Sequence, residues 1–165
     1  MTLIEFSQLL YDSEIGTGLR ESVYAFPIIE GLHLIGLSLS VGLILFVDLR
    51  LMGYFLADVA VENIMQPLRP WLLGGFATTI ATGILLFIAA ASKIILLTVF
   101  IYKLIFIALA GLNAGWFEYR WGRRVNEWST QSILPKGVRI AGITSLTLWS
   151  LVVIAGRLIP YLSYQ

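Results

Sequence analysis

Four stretches of the chain are almost free of charge for about 20 residues each, the length a helix needs to cross a ~30 Å hydrocarbon core. They run from about Tyr24 to Val47, Pro70 to Ala91, Leu97 to Trp116 and Val138 to Ile159. Pro27 falls in the first turn of the first span, where a missing N–H is tolerated, and Asp48 and Arg50 mark its far interface. Pro70 and Trp71 open the second span, Ser92 and Lys93 form a tight connection to the third, and Pro160 stops the fourth. Ahead of the spans, Leu3, Phe6, Leu9 and Leu10 recur at helical spacing, and Thr2 and Glu5 have the spacing of a capping box. Residues 2–12 therefore read as a short amphipathic helix lying in the interface, broken by Gly16 and Gly18. The expected fold is all-α: one polytopic domain over residues 1–165, a bundle of four transmembrane helices plus a short N-terminal interfacial helix. Trp71, Trp116, Trp121, Tyr161 and Tyr164 suit the headgroup zone.

Composition narrows the class further. The 165 residues are 58% hydrophobic and 13% charged, with a mean hydropathy of +0.87. That is about half the charge of an ordinary soluble domain, too little to cover a soluble particle of this size. The acidic start lacks the basic stretch and apolar core of a secretory signal. No internal repeat, low-complexity tract or long linker interrupts the chain. The absence of cysteine excludes disulfides, thiolate metal sites and thiol catalysis, and a single histidine excludes any two-histidine site within one chain. A net charge of +1 gives no footing for nucleic acid.

Four spans put both termini on one side. Arg50, Arg69, Arg120, Arg123, Arg124, Lys136 and Arg139 belong to the other side, against Arg20, Lys93, Lys103 and Arg157 on the terminal side. The excess of basic residues belongs in the cytoplasm, so both termini are expected in the periplasm.

Ionisable and polar groups at membrane depth usually face a bundle interior or cavity. In the first span, Glu30, His33, Leu37, Ser40, Ile44 and Asp48 share one face at 100° per residue. Gly31, Ser38 and Gly42 form a separate face that lets a neighbouring helix approach closely. Glu30 is placed to pair with Arg157 or Lys103 in the outer half of the membrane, locking the bundle; snorkelling explains both cations equally well. His33 has three readings: a hydrogen-bonded seam histidine, an axial ligand to haem b iron, or a proton or quinone partner. Met52 and Met65 lie away from mid-span, as does Met1, so no methionine faces His33 as a second ligand. A haem would then be five-coordinate or bridged by two His33 residues across a dimer axis. Zinc or copper would need carboxylates or a second chain.

The remaining spans read as packing. Gly75, Thr79 and Gly83 repeat a small-xxx-small spacing, and Gly111 and Gly115 form a GxxxG pair beside Asn113, which is placed to hydrogen-bond across it. The run Trp116-Phe117-Glu118-Tyr119-Arg120-Trp121-Gly122-Arg123-Arg124 mixes aromatic and basic residues. Trp116, Arg120, Trp121, Arg123 and Arg124 suit the lipid interface, with the bilayer as partner.

The run Glu21–Leu37, with Val47-Asp48-Leu49-Arg50-Leu51-Met52-Gly53, Ala108–Ala114 and Ala155-Gly156-Arg157, resembles a family of small uncharacterised bacterial four-helix inner-membrane proteins. The resemblance spans about Glu21 to Arg157 and implies a fold and a location without an activity. That family's pattern often places a histidine near the position that Glu118 holds here. A looser likeness, one histidine followed by glycines in a first membrane helix, is shared with copper-resistance membrane proteins and membrane b-type cytochromes.

These features raise three expectations of function. The first is a non-catalytic accessory or assembly subunit, in a homo-oligomer or a membrane complex. The second is a haem b- or quinone-binding electron-transfer module built on His33, Glu30 and Ser40. The third is an ion or metal conduit along the same stripe, and it lacks the broken helices and repeats of transporters. No glycine-rich phosphate loop, HExxH or nucleophile elbow supports an enzyme.

Overall fold

The computed structural model describes residues 2–131 and 134–163. Met1 and Tyr164 lie outside the described residues. Among those described, every regular element is helical: α1 (Leu3–Tyr11), α2 (Glu14–Glu21), α3 (Ala25–Met52), α4 (Val61–Ile94), α5 (Thr98–Arg120), α6 (Val125–Trp128) and α7 (Lys136–Leu162), with a 3-10 turn at Gly122–Arg124. α3, α4, α7 and the segment beginning with α5 are long and apolar enough to cross a membrane.

α1 begins on the expected capping box. The Glu5 N–H donates to Thr2 Oγ1 at 3.2 Å, and the Thr2 N–H donates to Glu5 Oε2 at 2.9 Å. Gly16 and Gly18 do not end helical structure as expected. They lie inside a second helix, α2, capped by Ser13 through the Gly16 N–H at 3.1 Å. Gly16 is needed for proximity, because a Cβ there would sit 2.7 Å from the Tyr11 carbonyl oxygen. Arg20 closes the α1–α2 corner, donating to that carbonyl at 2.5 Å with its guanidinium 3.6 Å from the Tyr11 ring centroid. Both short helices pack against α4.

The long helices overrun their expected ends. α4 starts at Val61, so Pro67 and Pro70 lie inside it rather than at its opening. Its 34 residues span about 51 Å at 1.5 Å each, and both prolines fall within its first ten residues. Ser92 and Lys93 stay helical, and the turn falls at residues 95–97. Pro160 is accommodated in the last turns of α7, which ends at Leu162. α3 ends at Gly53, whose φ of +83° suits a residue without a Cβ.

α3 pairs along its length with α4, α5 pairs with α7, and α3 joins the two pairs through α7. α4 and α5 meet only at points. Phe87 stacks on Phe100 at 5.4 Å, and Arg69 forms an ion pair with Glu118 toward the opposite ends of these helices. Phe76 of α4 reaches Trp149 of α7 at 5.0 Å, filling the middle. α7 is the most buried of the spans and the one beginning with α5 the least.

The main apolar cluster sits at the end away from the N-terminus, where Leu51, Val61, Trp128, Leu134 and Val138 are buried together. Trp128 comes from the α5–α7 connection, which folds back as a plug. Its indole N–H donates to the Trp121 carbonyl at 3.0 Å, and the two rings meet edge-on at 6.4 Å.

Candidate functional site

The α3–α4 seam is built from small and hydroxyl-bearing residues. Gly36 and Gly75 face each other: a Cβ on Gly36 would lie 2.9 Å from Thr79 Oγ1, and one on Gly75 would lie 2.9 Å from the Ser40 backbone nitrogen. Ser40 is fully buried there and donates to the Gly36 carbonyl at 2.8 Å. At this separation neither side chain has room to be larger.

His33 lies one turn toward the N-terminal end of the same seam, against Gly83. Its Cε1 would stand 3.2 Å from a Cβ on that glycine. Its Nδ1 is 3.0 Å from Thr82 Oγ1, which donates its one proton to the Thr78 carbonyl at 2.6 Å. The hydroxyl therefore accepts from the ring, and Nδ1 carries the hydrogen in neutral His33. Nε2 is left with its lone pair, and among the described residues no side chain bonds it.

The expected charge pairs do not form. Glu30 is exposed and makes no ion pair with Lys103 or Arg157 among the described residues. Arg157 instead donates to the Tyr161 hydroxyl of its own helix at 3.0 Å and stacks 5.3 Å from that ring. The half-buried Lys103 lays its stem on Gly156, with Nζ 3.4 Å from the place of a Cβ. Helical spacing puts Glu30 on the right face, but a pair also needs the neighbouring helix at the right rotation.

The polar stripe of α3 is divided between two neighbours. His33 and Ser40 face α4, whereas Asp48 faces α7 with the Ser145 hydroxyl close by. Asp48 is 4% exposed and its Oδ2 has no partner. Close approach of the helices there depends on Gly142, whose Cβ would lie 3.3 Å from the Asp48 carbonyl oxygen. Arg50, also buried, ties down the following loop by donating from Nε to the Val59 carbonyl at 2.8 Å. Asn113 bonds the Ala141 carbonyl at 3.1 Å, joining α5 to α7.

Of the glycines singled out in the sequence, Gly75 and Gly83 lie in the α3–α4 seam. Gly31, Gly42, Gly111 and Gly115 have open space where a Cβ would stand, and Ser38 is exposed. Gly42 opens onto an apolar hollow of about 160 Å³ lined by Leu45, Phe46, Leu49 and Phe55. Of the residues expected at the lipid interface, Trp116, Arg120, Arg123 and Arg124 are exposed, while Trp121 is half-buried against Trp128.

These positions bear on the cofactor. A haem needs open volume beside its ligand, and the ring of His33 is held edge-on between α3 and α4 against Gly83. Neither the hollow at Gly42 nor the cleft at Arg120 includes His33. Nor do three or more His, Asp or Glu gather as a metal site among the described residues.

The model of a family of unknown function, DUF6644, matches residues 4–162. The chain belongs to this family. No curated protein and no solved structure matches it. The DUF6644 match takes in the N-terminal helices as well as the four spans, so α1 and α2 are part of the family's unit.

Sequence reasoning missed four of the residues that build these seams: Gly36, Thr82, Ser145 and Trp128. Thr82 lies one residue from the Gly75-Thr79-Gly83 series, so a search for hydroxyls beside glycines would have found it. Nothing local marks Ser145 or Trp128.

Proposed function

We propose that this DUF6644 protein is a non-catalytic accessory or assembly subunit of the bacterial inner membrane, working in a homo-oligomer or a larger membrane complex, with both termini in the periplasm. One observation carries the reading: the glycine faces of α3 (Gly31, Ser38, Gly42) and α5 (Gly111, Gly115) are left open, while the helix pairs of the bundle form through other residues. Small residues on a lipid-facing helix leave shallow grooves that a second helix fills better than a disordered acyl chain. The polar groups inside the bundle fit the same reading. His33, Ser40 and Asn113 have their partners across seams or along helices, which is how polar residues lock packing.

The test uses the cysteine-free background. Single cysteines replacing Gly42 or Gly111 are oxidised in native membranes, with Ile80→Cys, exposed on α4, as the lipid-facing control. Cross-linking at either glycine position, to a second copy or to another membrane protein, is expected, with none at the control. Recovery of a monomer throughout, with Gly111→Leu changing nothing, overturns the proposal.

The Nε2 of His33, which no side chain bonds among the described residues, favours one competing reading, a haem b or quinone site completed by another chain. Oxidised and dithionite-reduced spectra of the gently solubilised protein beside His33→Ala separate the two. A Soret band lost in the variant selects haem, and co-extracted quinone lost in the variant selects quinone.

A further inference from the structure

Where α5 ends, the fold-back of residues 121–131 leaves a cleft of about 200 Å³ lined by Arg120, Arg124, Glu127 and Gln131, with Trp121, Trp128 and Pro135. The cleft lies at the end of an apolar span, next in the chain to the exposed Trp116 and Tyr119, residue types that favour the level where headgroups meet water. Its charges are close in sequence yet unpaired. Among the described residues no ion pair joins Arg120, Arg124 and Glu127; Arg120 lies over the Trp121 ring at 5.2 Å, and the Gln131 amide bonds only the Glu127 backbone carbonyl, at 3.3 Å. Two guanidinium groups and one carboxylate therefore face a shared space with their bonding capacity free.

We propose that this cleft binds the phosphoethanolamine headgroup of a phospholipid. The phosphodiester is held by Arg120 and Arg124, and the primary ammonium by the Glu127 carboxylate with the Gln131 amide oxygen. Guanidinium groups match phosphate oxygens in geometry as well as charge. The carboxylate decides between headgroups. A purely anionic headgroup would leave Glu127 facing negative charge, and a choline headgroup has no N–H to donate to it. The pairing is independent of whether the chain assembles with a second copy.

The test is native mass spectrometry of the full chain released from bilayers holding equal parts of phosphatidylethanolamine, phosphatidylglycerol and phosphatidylcholine. Phosphatidylethanolamine is expected to be retained at least threefold over either of the others. Arg120→Gln with Arg124→Gln removes retention. Glu127→Gln keeps a bound phospholipid but abolishes the preference, and Arg139→Gln, exposed and outside the cleft, changes nothing. Circular dichroism and elution volume confirm that each variant is folded. Equal retention of the three lipids, a preference for phosphatidylglycerol, or variants that behave like the parent would overturn the proposal. So would displacement of the lipid by millimolar soluble phosphoethanolamine, which would assign the cleft to a free metabolite instead.

Discussion

His33 shows how much one hydrogen bond decides. A histidine at this depth without a partner would carry an unsatisfied polar nitrogen into hydrocarbon, and Thr82 removes that cost at Nδ1 through a hydroxyl anchored on its own helix. Thr82→Val keeps the shape and removes the acceptor. A buried donor left unsatisfied costs about 1–3 kcal/mol, so thermal unfolding in detergent should begin several degrees lower than for the parent. In the His33→Ala background the same valine should cost much less, because the group it orphans is gone. Equal losses in both backgrounds would show that the bond contributes nothing. The position of His33 on α3 was legible from spacing. Its partner was not, because helical periodicity within α3 carries no information about the register of α4.

At the scale of elements, two kinds of glycine separate. Gly36 and Gly75 set the α3–α4 distance, and a leucine at Gly36 would drive its Cβ to 2.9 Å from Thr79 Oγ1 and 3.1 Å from the Gly75 carbonyl oxygen. Both helices would have to move apart, so Gly36→Leu should lower expression and unfolding temperature sharply. Gly111→Leu, on the open face of α5, should leave the monomer's thermal stability within about 0.5 kcal/mol of the parent. A Gly111→Leu protein that unfolds as early as Gly36→Leu would place that face inside the bundle. The sequence marked small-residue faces on both helices, but it singled out Gly31, Ser38 and Gly42 on α3. Gly36 was not distinguished, because a lone glycine reads the same whether a helix or a lipid chain lies beside it. The helices also run past the stretches that hydropathy picks out, because hydropathy reports apolar side chains whereas a helix continues until Gly53 or a loop stops it.

For the whole molecule, the charge asymmetry makes a claim about orientation. The end holding Arg50, Arg69, Arg120 and Arg139 is expected in the cytoplasm and the end holding Lys93 in the periplasm. In this cysteine-free chain, Lys93→Cys should react with a membrane-impermeant maleimide in intact cells, and Arg123→Cys only after lysis. The opposite pattern would invert the molecule and place the Arg120 cleft on the outer face. The architecture itself distinguishes the two ends: one holds the Trp128 plug, and the other carries α1 and α2 packed on α4.

The number of spans, their all-helical class, the capping box at Thr2 and the membrane setting were determined by the sequence alone. Each comes from composition and periodicity within one segment. The tertiary structure decided what those segments do to one another. It placed His33 on Thr82 and Asp48 against α7, withheld Glu30 from Arg157 and Lys103, and folded Trp128 under the bundle. These outcomes depend on the rotation, depth and separation of neighbouring helices. Those quantities come from side-chain packing between segments far apart in the chain, and no single segment contains them.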